Sequence, residues 1–332
     1  MPIVSRVLRG LTAAAVIWGA VLPVAVAAAQ ASGFPQRALH IVVPTGPGSA
    51  PDVLTRKLGE AVGARLGQPV VVENRPGAAG MIGAEAVARA KADGYTLLMA
   101  WDGMMAINPA LYARLAYDPA ADFVPVAGLA RVEFALVAHP SFAPNNVAEL
   151  VTYAKERPGQ IPYASPGAGE AHHIAMEELK RQAGIDLVHV AYKGGPAALN
   201  DVLAGHVPLT IIGLTPALPQ LANQRLKALA VLGNARSRHL PSVPTISEAL
   251  PGYDMEGSWL ALFAPAGTPA PVVNVLSEAV SHALADPGLA EFVASQGMLP
   301  LPLTPSALDA LRTDDTERFR ARIQAAKIRI DG

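Results

Sequence analysis

The chain has 332 residues, 51% of them hydrophobic and 16% charged, with a formal net charge of −1 and no cysteine. That length supplies material for two domains with a core each. The charge lacks the basic surplus that nucleic acid or an anionic membrane surface calls for, and disulfides are excluded outright.

At the N-terminus, Arg6 and Arg9 precede the apolar run LTAAAVIWGAVLPVAVAAA, which ends in small residues. Ala27-Ala28-Ala29 and Ala29-Gln30-Ala31 both satisfy a small-x-small cleavage pattern, so residues 1–31 read as a signal peptide cut after Ala29 or Ala31. An uncleaved anchor is the alternative, since about twenty apolar residues span a bilayer; Pro23 and the small-residue end favour removal. No other stretch is long and apolar enough for a membrane helix. The remainder carries 24 basic and 27 acidic side chains. The expected product is exported, soluble and periplasmic.

The pattern then predicts a strand over 39–43, a helix over 53–66, a strand over 69–73, a glycine-rich turn, a helix over 82–91 and a strand over 95–100. Short apolar runs separated by helices argue for βαβ units and a mostly parallel sheet. The pattern restarts with strands over 134–139 and 161–165 around a helix over 147–157, which is closed by Pro158-Gly159. A helix to about 182, a strand over 187–192, a helix near 196–203, a strand over 209–213, a helix from about 217 and a strand over 226–232 complete a second α/β unit. After a strand over 259–264 come the loop PAGTP and helices over 272–285, 288–296 and 306 to about 328. No repeat and no low-complexity linker separates the halves. Two α/β lobes joined without a linker imply crossing strands, hence a hinge and a cleft.

Two loops share a design: VVPTGPGSAPD over 42–52 and SPGAGEAHH over 165–173. In each a strand ends, glycines free the backbone, and a helix begins. The first amides of a helix have no intrahelical acceptor and lie at the positive end of its dipole, which suits a carboxylate or phosphate. One such loop in each lobe suits a small anion held across a cleft.

Other chemistries fit poorly. Gly46-Pro47-Gly48 with Glu73 mimics a dinucleotide site, but Pro51 stands where the third glycine belongs. There is no G-x-S-x-G elbow and no cysteine nucleophile. His172 and His173 are adjacent, so on a helix they diverge by about 100°. His173 with Glu177 lacks the H-E-x-x-H pattern of zinc hydrolases and reads as a surface or capping pair. No catalysis, metal or cofactor is expected.

An ordered series of motifs extends these loops: IVVPTGPGSAPDVLTRKL, LGQPVVVENRPGAAGMIGAEAVARAKADGYTLLMA, AINPALY, YASPGAGEAHHIAMEELKRQAGIDLVHVAYKGG, LKALAVLGNARSRHLPSVPTISEA and LFAPAGTPAPVV. Over residues 34–330 the chain resembles the Bug family, the periplasmic solute-binding receptors of tripartite tricarboxylate transport systems. The resemblance implies an α/β, two-lobed periplasmic binding fold (type II-like) with a hinge of crossing strands and a ligand cleft. Lobe 1 would comprise 32–135 and 261–332, and lobe 2 would comprise 136–260. It implies a monomer that closes over a small carboxylate, held through backbone amides, and presents it to membrane transporter subunits. The rivals are a sensory receptor serving a signalling partner and an exported enzyme on the same fold.

Carried onto this sequence, the first cradle is Gly48, Ser49, Ala50 and Asp52. The second is Ser165, Gly167, Gly169, Glu170 and Ala171, with His172 beside it. Trp101, Asp102, Gly103 and Met104 would form another wall. Lys193 either faces the cleft or sits on a surface turn. The chain also departs from the family. Ala50-Pro51 replace hydroxylated residues before Asp52, Glu170 stands where Ser or Thr is common, and Ile212 stands where aspartate is common. Bulk and negative charge therefore disfavour a second free carboxylate. The expected ligand has one carboxylate plus an ammonium, amide or aromatic part received by Asp102 and Trp101. Alternatively, Trp101 and the methionines are core and Asp102 caps the next helix.

Overall fold

A computed structural model of the chain describes residues 33–329; the expected signal peptide lies outside the described residues. The first part runs β1 (Leu39–Val43), α1 (Ala50–Leu66), β2 (Val70–Asn74), α2 (Met81–Ala88) and β3 (Thr96–Trp101). A π-helical turn (Gly103–Ile107), α3 (Asn108–Leu111) and β4 (Phe123–Val132) complete it. The second part runs β5 (Phe134–Ala138), α4 (Val147–Lys155), β6 (Pro162–Ser165), α5 (Ala171–Ala183) and β7 (Val188–Ala191). It continues through α6 (Gly195–Leu203), β8 (Leu209–Gly213), α7 (Leu214–Ala222), β9 (Lys227–Val231) and α8 (Ile246–Ala249). The chain returns through β10 (Ser258–Pro265), α9 (Ala270–Leu284), α10 (Pro287–Ser295), β11 (Met298–Pro300) and α11 (Pro305–Ala325).

Helix α1 starts three residues earlier than its apolar period suggests. Ser49 caps it, and Pro51 occupies the first turn, where a missing N–H costs nothing. Gly67, at φ 69°, ends it in the left-handed conformation.

Two sheets result, in the orders β11-β4-β10-β3-β1-β2 and β7-β6-β8-β5-β9. The expectation of mostly parallel sheets is corrected. Only β1 with β2 and β3, and β6 with β7 and β8, pair in parallel. β10 runs antiparallel to both β3 and β4, β11 runs antiparallel to β4, and β5 runs antiparallel to β8 and β9. Strands that carry the chain out of one sheet and back into it must run in opposite directions, and helix alternation does not report that. Each sheet is covered on both faces. Ile41 and Val43 enter one apolar cluster and Val42 another, and Leu136 and Ala138 separate likewise from Ala135 and Val137.

The lobes are joined by crossing strands. A single residue, Glu133, separates β4 in one sheet from β5 in the other. On the return, Ser258 of β10 pairs with Val132, so the two crossings lie side by side. Gly257 is obligatory there, because a Cβ on it would lie 1.7 Å from the Val132 carbonyl oxygen. Helix α11 straddles the junction: Leu308 packs in the first lobe's core, and Phe319 and Ile323 pack in the second's.

Candidate functional site

The first glycine loop is built around Asp52. Its carboxylate accepts from the Gly48 N–H at 2.8 Å, from Arg56 Nε at 3.0 Å and from Asn74 Nδ2 at 2.8 Å. Burial alone would raise this carboxyl, but the bonds from Arg56, Gly48 and Asn74 outweigh it and hold it below the usual range. Ser49 Oγ accepts from the Asp52 N–H at 3.4 Å and contacts Thr45 Oγ1 at 2.6 Å. This loop therefore spends two of its amides on its own side chains. Gly48 is exposed and Ser49 and Ala50 half-buried.

The second loop is fixed differently. The Gly169 N–H donates to His173 Nδ1 at 3.0 Å. That bond needs a neutral imidazole, and burial, with His189 and Lys180 adding to it, pushes His173 down to about 3. His173 stacks on His189 with ring centroids 3.8 Å apart, and His189 stacks on Tyr163 at 5.0 Å. Ser165 Oγ lies 2.6 Å from His189 Nε2 and is itself buried. The Tyr163 hydroxyl donates to Glu177 at 2.6 Å, and Lys180 Nζ donates to the same oxygen at 2.8 Å. His173 with Glu177 is thus no surface pair but part of a buried stack beneath the loop.

Glu170 is the N-cap residue of α5, yet its side chain makes no capping bond. The amides of Ala171, His172 and His173 in the first turn therefore keep no intrahelical or side-chain acceptor. Helix α1 caps itself, whereas α5 presents an open positive end. His172 stacks on Phe134 of the crossing at 4.1 Å, and burial pushes its imidazole down to about 4.

A cavity of about 20 Å³ lies between the lobes, with room for about one water. Trp101, Gly103, Asn108 and Tyr112 wall it from the first lobe, and Gly169 and Glu170 wall it from the second. Leu111 crosses to the other lobe: a Cβ on Gly169, whose φ is +82°, would lie 2.4 Å from Leu111 Cδ1. Wider depressions, such as one of about 540 Å³ along α1 and β2, are open grooves that receive neither loop.

Of the expected site residues, Trp101, Gly103, Gly169 and Glu170 meet at this cavity. Ala171 and His172 sit beside it on α5. Gly48, Ser49, Ala50, Asp52, Ser165 and Gly167 do not line it. Met104 is corrected to core, because its side chain is fully buried against Gly80. Asp102 is also corrected. It is 3% exposed, accepts from the Gly103 N–H at 2.8 Å and takes the Ser258 hydroxyl. Burial, with Asp315 and Glu170 nearby, pushes it up to about 7 against the bonds from Ser258 and Gly103. Asp102 therefore caps the π-helical turn, the alternative held open in the sequence, and does not line the cavity. Lys193 is an exposed turn residue.

Six cavity residues carried no role in the sequence reading: Ala79, Ile107, Asn108, Leu111, Tyr112 and Ala168. Ala78 and Ala79 adopt φ of 47° and 50°, a left-handed strain in the glycine-rich turn after β2. Asn108 Nδ2 holds that turn through the Ala79 carbonyl at 3.3 Å. The signals were present as RPGAAG and AINPALY, but nothing local shows that these segments meet.

The family model described as the tripartite tricarboxylate transporter family receptor matches residues 54–328. The protein BugT of Bordetella pertussis is 33% identical over 293 residues, which span 87% of this chain and 89% of BugT. A solved R. palustris protein with adipate superposes with a TM-score of 0.82 at 33% identity, covering 89% of this chain and 99% of that one. MatC from Rhodopseudomonas palustris with bound malate superposes with a TM-score of 0.77 at 32% identity, covering 87% and 100%.

Proposed function

The chain belongs to the tripartite tricarboxylate transporter receptor family, and from that membership we propose that it captures a small carboxylate-bearing solute between its lobes in the periplasm and presents it to a membrane transporter. The observation that carries this reading is the uncapped N-terminus of α5 at the edge of the interlobe cavity. Charge-assisted bonds from backbone N–H groups at a helix start hold an anion without a cationic side chain. The relatives solved with adipate and malate support a carboxylate as the solute class. A cavity of about 20 Å³ is far below the several hundred that ligand sites offer. Entry therefore requires the lobes to part at the β4–β5 and β10 crossings, and capture is their return. In this reading residues 1–31 are the signal peptide, and the lobes divide near 135 and 260.

Ala171→Pro tests the cradle. Proline is tolerated at the first helical position, and Glu170, at φ −66° and ψ 154°, already has the extended conformation required before it. The substitution should leave the unfolding midpoint near that of the wild type while weakening carboxylate binding roughly tenfold or more, because one charge-assisted donor is removed. Calorimetry with a panel of mono- and dicarboxylates reads the effect. Unchanged affinity would place the carboxylate elsewhere.

A further inference from the structure

Three groups facing the interlobe cavity have no partner among the described residues: the Glu170 carboxylate, the Tyr112 hydroxyl and the Trp101 indole N–H. Asn108 differs from them, since its amide already donates to Ala79 and to Tyr117. Glu170 has the backbone of an N-cap, but its carboxylate makes no bond to its own helix, and the residue lines the cavity. No lysine, arginine or histidine lines that wall. Buried Asp102 lies nearby, and among the causes that raise its carboxyl is the charge of Glu170.

The two aromatic rings are held in place. A Cβ on Gly103 would lie 2.5 Å from Trp101 Nε1, and one on Gly80 would lie 3.0 Å from Trp101 Cη2, so both glycines make room for the indole. Tyr112 follows Leu111, which packs on Gly169. A partly dry cavity that offers one unpaired carboxylate between two aromatic side chains, with no base, complements a cation. A second ligand carboxylate there would meet Glu170 as a like charge.

We infer that Glu170, Trp101 and Tyr112 form a subsite for an ammonium group of the solute, so that the protein selects amino-bearing carboxylates over plain diacids. The inference rests on the carboxylate reading above and assigns the other end of the same ligand. Burial pushes the Glu170 carboxyl up, and an ammonium partner relieves that cost.

Two matched pairs isolate the ammonium group: aspartate against malate, and 6-aminohexanoate against adipate. Calorimetry on the full mature chain should show at least one amino compound binding tenfold or more tighter than its partner. Glu170→Gln should cut that preference roughly ten- to hundredfold, because a charged hydrogen bond becomes a neutral one. Its unfolding midpoint should stay near that of the wild type, since Glu170 holds no other group. If neither amino compound binds tenfold tighter than its diacid, the inference is overturned and the carboxylate reading stands. A preference that survives Glu170→Gln overturns the assignment to this residue. Silence toward all four compounds, with binding of other carboxylates, overturns the inference alone; silence toward every carboxylate overturns both.

Discussion

Asp102 lies under the interlobe cavity as a buried carboxyl raised to about 7. Unfolded, the same group releases its proton near pH 4. Between those values the folded chain binds a proton that the unfolded chain has lost, so this group's contribution to stability is present at low pH and falls as pH rises through 7. The loss is at most about 1.4 kcal/mol per pH unit. Asp102→Asn keeps an oxygen for the Ser258 hydroxyl and the Gly103 N–H but cannot titrate. Denaturant unfolding at pH 5 and pH 8 should therefore show the wild type losing more stability than the variant over that interval. A larger loss in the variant would mean that Asp102 is ionised in the folded chain. At this scale the sequence was half legible. Glu170 stood out as a departure in type and Trp101 as part of a wall, and both line the cavity. For Asp102 and Met104 the sequence left two readings open, cleft wall or cap and core, and burial favours the second, because exposure depends on which side of a one-turn helix the chain presents. Tyr112 went unmarked, since nothing in AINPALY indicates that it reaches a loop about sixty residues away.

Among the elements, β4 is the longest that the pattern concealed. FVPVAGLARV contains a proline and a glycine, both of which speak against a central strand. The structure accommodates each for a physical reason. Pro125 sits opposite Phe263 at a register shift, where a ladder donor is dispensable. At Gly128 the chain after β11 passes so closely that a Cβ would lie 2.6 Å from the Leu301 carbonyl and 2.8 Å from Leu303 Cβ. The Gly128 N–H donates to the Leu303 carbonyl at 3.0 Å, which holds that approach. Gly128→Ala should therefore destabilise the protein by about 1–3 kcal/mol through overpacking. A thermal midpoint equal to that of the wild type would show that residues 301–303 yield freely. Helix starts are set locally, because Ser49, Asn146 and Thr304 cap their helices by bonds within three residues, although at α1 the apolar period alone points to a later start.

Over the whole molecule, two crossings and one helix hold the lobes together. Beside the crossings, Arg131 pairs with Glu256, and Arg318 and Arg322 of α11 both reach Asp254. Trp259 Nε1 donates to Asp315 at 2.8 Å, which ties β10 to the same helix. Gly257→Ala is the sharpest test of this junction, because its Cβ cannot coexist with the Val132 carbonyl at 1.7 Å. The variant should lose about 3 kcal/mol or more, or hold its lobes apart. Unfolding measurements read the first outcome and a larger radius of gyration in solution scattering reads the second. Wild-type values in both would mean that the crossings are loosely packed. The strand and helix runs, the two glycine loops and the joining of two lobes without a linker follow from local periodicity, glycine placement and capping, which act over a few residues and are therefore written in the chain order. Which strands reverse, that α11 serves both cores, that α1 caps itself while α5 stays open, and that Glu170 meets Trp101 and Tyr112 depend on contacts between segments far apart in the chain. Those contacts are set by how two separately folded sheets fit at one junction, and no local pattern carries that fit.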